Sequence, residues 1–121
     1  LSYTTFDYSN LNVLQKTLNT QSEIEVNVDI TNTGKLKGDE VVQLYLKDLQ
    51  SSVTTYESVL RGFERVSLQP GEKKTIRFLL RPDDLAILDK NMNWTVEPGA
   101  FEIMVGSSSV DIKFKKKIDV Q

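Results

Sequence analysis

The stretch EIEVNVDI at residues 23–30 is the clearest strand pattern in the sequence, because its apolar and polar side chains alternate without interruption. Successive side chains of a β-strand point to opposite faces of the sheet, so one face of this stretch is apolar and the other carries only charged and amide groups. The pattern predicts a strand with one buried and one solvated face, which is typical of antiparallel sheets. Residues 31–34 follow with the turn-forming sequence TNTG.

The same alternation recurs further along the chain. Strand-like stretches lie at 40–47, 58–68, 75–80, 91–96, 100–106 and 110–115. Turn residues separate them, as in QPGE at 69–72 and EPG at 97–99. About seven or eight short strands of this kind predict an all-β fold, a two-sheet antiparallel sandwich of immunoglobulin or fibronectin type III style. A closed barrel is the alternative that periodicity leaves open.

The segment PDDLAIL at 82–88 breaks the alternation. Proline suits the first position of a helix, and aspartates in the first turn favour the positive end of the helix dipole. One short helical turn is therefore predicted near 82–88. Arg81 precedes it in the capping position, where arginine is a poor residue, so the turn is expected to fray or to be 3₁₀ in form.

The composition of the 121 residues excludes several classes of site, because the chain contains neither cysteine nor histidine. Disulfides and thiolate metal sites are therefore absent, as is the side chain most used for proton transfer near neutral pH and for binding transition metals. The net charge of -2 gives no strong field for nucleic acid or anionic lipid, and no apolar run is long enough to cross a bilayer. We expect no catalytic residue, metal, cofactor, nucleic-acid partner or membrane insertion.

Adjacent acidic pairs occur at Asp83-Asp84 and at Asp39-Glu40. A pair of carboxylates is the usual equipment of a glycosidase, but neighbours in sequence do not face each other on a helical turn or on a strand. Capping is expected for the first pair and solvation for the second. The lysines at 115–117 are interpreted as protection of an edge strand rather than as a polyanion site, and the serines at 107–109 as a turn.

Four aromatic side chains are candidates for stacking against sugar rings or against a neighbouring domain, since an aromatic face offers apolar contact. They are Tyr3, Tyr45, Tyr56 and Trp94. For Trp94 the favoured interpretation is core or interdomain packing rather than a carbohydrate platform. Tyr56 lies in a polar loop and is expected to be the most exposed of the four.

Several motifs occur together in a fixed order over nearly the whole chain. They are LSYTTF at 1–6, VDITNTG at 28–34, GDEVVQLY at 38–45, LRGF at 60–63, LQPGE at 68–72 and EPGAFEIMVGSSS at 97–109. In this order and spacing they resemble the carboxyl-terminal fibronectin type III-like domain of family 3 glycoside hydrolases. The first motif resembles the segment that joins this domain to the catalytic region. Residues 1–10 are accordingly assigned to a junction and first strand, and 11–121 to a single sandwich domain.

The resemblance implies a parent enzyme of the β-glucosidase or β-xylosidase type. Such enzymes hydrolyse β-glycosidic bonds with retention, through an aspartate nucleophile on a separate barrel domain. The resemblance therefore implies a non-catalytic accessory module for this chain, with the catalytic domains of the same parent chain as its partner. The isolated chain is expected to be a monomer without activity, and the parent to be periplasmic or secreted. The alternative function is a carbohydrate-binding module that holds polysaccharide on Trp94 or Tyr56.

Two places depart from the family pattern. Many members carry an arginine-proline pair and a lysine-glutamate pair before the leucine-glycine-phenylalanine stretch, where this chain has Thr55, Tyr56, Ser58 and Val59. Contacts made by those charges elsewhere in the family are therefore not carried over to this chain. Arg81 is the second departure, because a capping serine or a similar residue is common before that proline.

Overall fold

In this computed structural model the structure describes residues 4–14, 18–49, 58–88 and 91–121. Within these ranges the chain is almost entirely extended. The elements are β1 (Phe6–Val13), β2 (Ile24–Asn32), β3 (Gly38–Asp48), β4 (Val59–Leu68), β5 (Lys73–Leu80), α1 (Pro82–Leu85), β6 (Ile87–Leu88), β7 (Trp94–Thr95), β8 (Gly99–Ser108) and β9 (Asp111–Val120).

Seven of the described strands form two antiparallel sheets. One sheet has three strands in the order β1-β2-β5, and the other has four in the order β4-β3-β8-β9. The short strands β6 and β7 pair only with each other. The two sheets are separate and each retains its edges, so the predicted sandwich is confirmed over the alternative of a closed barrel.

The core lies between the inner faces of the two sheets, and the alternating apolar side chains of β2 and β3 fill much of it. On β2 the four apolar side chains of EIEVNVDI are completely buried, while the side chains between them are partly exposed. Strands β3 and β8 contribute the facing layer from the four-stranded sheet. Each such side chain contributes about 1.5–3 kcal/mol when removed from water. The core residues contributed by β2, β3 and β8 are Ile24, Val26, Val28, Ile30, Val42, Leu44, Leu46, Phe101, Ile103 and Val105.

The helical turn is shorter than the sequence predicts. It covers only Pro82–Leu85, and Ile87–Leu88 instead pairs antiparallel with Trp94–Thr95. Ala86 ends the helix because its backbone is extended, with φ -70 and ψ 140. The predicted strand at 91–96 is correspondingly reduced to the two residues of β7.

Strand β1 crosses position 10, where the sequence places the end of the junction segment. Its pairing with β2 shifts register between Ser9 and Asn12, and Asn10 adopts a positive φ of 55°. This is the geometry of a β-bulge, which asparagine tolerates better than most residues. The amide of Asn10 also donates a hydrogen bond to Asp29 Oδ2 at 2.9 Å.

Asn32 joins the two sheets at one end of the sandwich. It is fully buried, and its Oδ1 accepts hydrogen bonds from the Thr4 hydroxyl at 2.8 Å and from the Gly34 N–H at 3.0 Å. Its Nδ2 donates to the carbonyl oxygens of Leu36 and Leu68, each at 2.9 Å. Because a buried amide is costly unless its bonding capacity is used, this satisfied network fixes where β2 ends relative to β4.

We expect Asn32→Ala to lower the free energy of unfolding by about 2–3 kcal/mol, because the buried carbonyl of Leu68 and the partly buried backbone groups of Leu36 and Gly34 lose a hydrogen-bond partner. Urea denaturation of the 121-residue chain measures this change. The matched control is Asn12→Ala on the exposed side of β1, for which we expect a change within about 0.5 kcal/mol. Equal effects of the two substitutions would contradict a stabilising role for the hydrogen bonds of Asn32.

Candidate functional site

The outer face of the four-stranded sheet carries apolar side chains on β4. Phe63 pairs with Gln43 of β3, and Gln43 points away from the core because its neighbours Val42 and Leu44 point into it. Phe63 therefore points outward as well. Gly62 occupies the inward position opposite Leu44, where an added Cβ would lie 3.0 Å from the ring of Phe78 on the other sheet.

A bulge extends this apolar surface along β4. The register moves from Leu44↔Gly62 to Tyr45↔Leu60, which leaves Arg61 as the extra residue and turns Leu60 to the same side as Tyr45. Phe63 is 70% exposed and Leu60 is 45% exposed. We call Leu60, Phe63 and Tyr45 the Phe63 face. Large exposed apolar side chains that are contiguous mark interaction sites in soluble proteins.

A groove beside Arg61 is lined by Asp83, Ala86 and Trp94 and has a volume of about 420 Å³. Trp94 is 73% exposed, so it does not lie in the core of this domain, and packing against a neighbouring domain remains a prediction. The reason is its position on the short pair β6–β7, which lies outside both sheets of the sandwich. We call these four residues the Trp94 groove.

The structure places the other predicted aromatic residues differently. Tyr45 is half-buried on the Phe63 face, where its hydroxyl is hydrogen-bonded to Gln43 and its register partner on β8 is the buried Met104. Its ring is therefore only partly available for stacking. Tyr56 and Tyr3 lie outside the described residues.

Three of the four residues in the two acidic pairs, Asp84, Asp39 and Glu40, make structural contacts. The carboxylate of Asp84 accepts the backbone N–H of Arg81 at 2.8 Å, which is the expected capping role. Asp39 faces solvent, and the Ser67 hydroxyl and the Arg65 guanidinium lower the pKa of its carboxyl. Glu40 points the other way, as strand geometry requires. Among the described residues no three acidic side chains converge as a metal site.

Glu40 forms a polar contact between the two sheets. Its Oε2 accepts a hydrogen bond from the hydroxyl of Tyr8 on β1 at 3.0 Å. Burial raises the pKa of the Glu40 carboxyl, and the bond from Tyr8 partly opposes that change. Burial likewise raises the pKa of the Tyr8 phenol.

Two polar segments near the carboxyl end also have structural positions. The lysines at 115–117 are exposed on β9, an edge strand of the four-stranded sheet, as predicted for protection of an edge. The Ser107 hydroxyl is hydrogen-bonded to Asp111 across the turn that connects β8 to β9. None of the helices in the described ranges is long and apolar enough to cross a bilayer.

Comparison with known proteins gives consistent matches. Residues 40–109 match the fibronectin type III-like domain family. The chain is 46% identical to thermostable beta-glucosidase B of Acetivibrio thermocellus, covering 99% of this chain and 16% of that protein. It is 47% identical to a beta-xylosidase of Formosa agariphila, over 90% of this chain and 15% of that protein. A solved β-glucosidase from Erythrobacter marinus superposes with a TM-score of 0.93 at 35% identity, over 100% of this chain and 16% of that one.

The raised pKa of Glu40 predicts a pH-dependent loss of stability. The folded protein holds this proton more firmly than the unfolded chain, in which the carboxyl has its ordinary pKa of 4.5, so ionisation of Glu40 destabilises the fold as the pH rises above that value. Glu40→Gln keeps an acceptor for Tyr8 but does not ionise. We expect the unfolding free energy of the wild type to fall relative to the variant between about pH 4 and pH 7.

Urea denaturation across that pH range measures the difference. Tyr8→Phe is the complementary variant, because loss of its hydroxyl raises the pKa of Glu40 further and makes the fall larger. A wild-type unfolding free energy that stays constant or rises relative to that of Glu40→Gln between about pH 4 and pH 7 would contradict this assignment.

Proposed function

The chain belongs to the fibronectin type III-like domain family, and on that basis we propose that it is the non-catalytic accessory module of a family 3 glycoside hydrolase of β-glucosidase or β-xylosidase type. The chain spans about 16% of the length of the curated relatives that it matches. In the proposed parent, hydrolysis of the β-glycosidic bond belongs to carboxylates outside this chain. This module supports the domains that carry them.

The observation that carries the proposal is the Phe63 face. The inner side of the four-stranded sheet is already filled by the core, so the exposed parts of Phe63 and Leu60 do not pack against it. Burying them against a neighbour removes apolar surface from water, at about 25 cal/mol per Å². We infer that the neighbour is the remainder of the same parent chain.

The polar chemistry of the module agrees with a supporting role. The carboxylates of Asp39, Asp84 and Glu40 hold β4, α1 and β1 in place. Their spacing on opposite faces or in a helix cap does not bring two of them around a common point, as glycoside hydrolysis requires. Export of the parent to the periplasm or beyond the cell is part of the same proposal and rests on the family resemblance alone.

The test compares Phe63→Ser in two contexts. In the 121-residue chain we expect the unfolding free energy to change by no more than about 0.5 kcal/mol, because Phe63 is already in water. In the whole parent enzyme we expect the midpoint of thermal inactivation to fall by about 2–4 °C, because a buried contact is lost. Residual hydrolysis of an aryl β-glucoside after heating measures the second effect.

The matched control is Leu79→Ser. Leu79 is 50% exposed on the outer face of the three-stranded sheet, opposite Glu25, and we expect little change in either context. Loss of stability from Phe63→Ser that is the same in the isolated chain and in the parent would defeat the proposal. So would an equal effect of Leu79→Ser in the parent.

A further inference from the structure

We propose that the Trp94 groove is a binding site for one neutral sugar residue of a β-linked oligosaccharide. The groove is lined by Arg61, Asp83, Ala86 and Trp94. The site itself follows from these four side chains, while the choice of a β-linked gluco- or xylo-oligosaccharide rests on the proposed function. The site is separate in role from the Phe63 face, to which we assign the contact with the rest of the parent chain.

The dimensions and lining suit a small cyclic ligand. The volume of about 420 Å³ lies within the range of small-molecule sites, which are concave and mainly apolar with a few polar groups that fix orientation. The indole of Trp94 is 73% exposed and supplies the apolar surface, with the half-buried Ala86 beside it. The C–H face of a pyranose ring is the part of a sugar that packs against such a surface.

The charges of the groove indicate a neutral ligand that both donates and accepts hydrogen bonds. Among the described residues the side chains of Arg61 and Asp83 have no hydrogen bond or ion pair, either with each other or with a third residue. The guanidinium donates only, and the carboxylate accepts only. Because the two charges have opposite sign, an anion or a cation would be attracted by one and repelled by the other. Vicinal sugar hydroxyls satisfy both groups at once.

The fold holds the lining residues on rigid elements. Arg61 is the bulged residue of β4, and its backbone position is set by the register with β3. Asp83 lies on α1, which is anchored by the buried Leu85 and capped by the carboxylate of Asp84 on the Arg81 N–H. Trp94 is paired with Leu88. Because the backbone of these residues is already ordered, binding of a small ligand loses little conformational entropy of the protein.

The chain offers a direct probe, because Trp94 is its only tryptophan. Tryptophan emission of the 121-residue chain therefore reports on this groove alone. We expect titration with cellotetraose or xylotetraose to change the emission with saturation, at a dissociation constant on the order of 1 mM. Arg61→Ala and Asp83→Ala should each weaken binding by about tenfold or more, since a polar partner of the ligand is lost.

The matched control is Arg65→Ala, which removes an exposed arginine of the same strand that is paired with Asp39 and lies outside the groove. It should leave the dissociation constant unchanged. If the tryptophan emission shows no saturable change up to about 50 mM sugar, the site is overturned, because that concentration is far above the expected dissociation constant. Equal weakening by Arg65→Ala and Arg61→Ala would also overturn it.

The two proposals fail in different ways. In one outcome, Arg61→Ala abolishes sugar binding, and Phe63→Ser has the same effect in the isolated chain and in the parent. That result supports the groove and contradicts the interdomain role of the Phe63 face. A context-dependent effect of Phe63→Ser without any response of Trp94 emission to sugar supports the accessory role and defeats the sugar site.

Discussion

The structure depends on one constraint: each sheet of the sandwich can pack only its inner face against the other sheet. The side chains of Ile24, Val26, Val28 and Ile30 fill the space against β3 and β8. A shift of β2 by one residue in its pairing register would turn all four side chains to the solvent face. The register of β2 with its neighbours is fixed in this way. Once the inner faces are filled, side chains on the outer faces must meet either water or another part of the protein. The exposure of Phe63 is a consequence of that limit.

Polar contacts at the sheet ends convert two stacked layers into one defined arrangement. The side chain of Asn32 makes four hydrogen bonds, and the one to the Leu68 carbonyl ties β2 to the end of β4. Tyr8 reaches from the three-stranded sheet to Glu40 on the four-stranded sheet. Apolar contact is not directional, whereas these bonds specify how far one sheet is displaced along the other. The turn at 69–72 agrees with that alignment, since Gly71 takes a φ of 79° that other residues rarely adopt.

The alternation in the sequence predicts the strands and the sandwich because it directly records which face of each strand is buried. It does not predict the Phe63 face. Phe63 and Val66 are three positions apart, so strict alternation puts them on opposite faces of the strand. Because both are apolar, one of them must point away from the core, and the sequence does carry that indication. The bulge at Arg61 then turns Leu60 outward as well, and a bulge depends on pairing between distant strands rather than on local sequence. The exposure of Trp94 likewise depends on where α1 ends and on the pairing of β6 with β7.

Phe63 is exposed in the isolated domain, and we propose that the Phe63 face is covered in the parent enzyme. Hydroxyl-radical footprinting with mass spectrometry measures the solvent access of individual aromatic and aliphatic side chains in both forms. We expect oxidation of Phe63 to be strongly reduced in the whole enzyme, and oxidation of Leu79 on the opposite sheet to be the same in both. Equal oxidation of Phe63 in the isolated chain and in the parent would contradict this proposal.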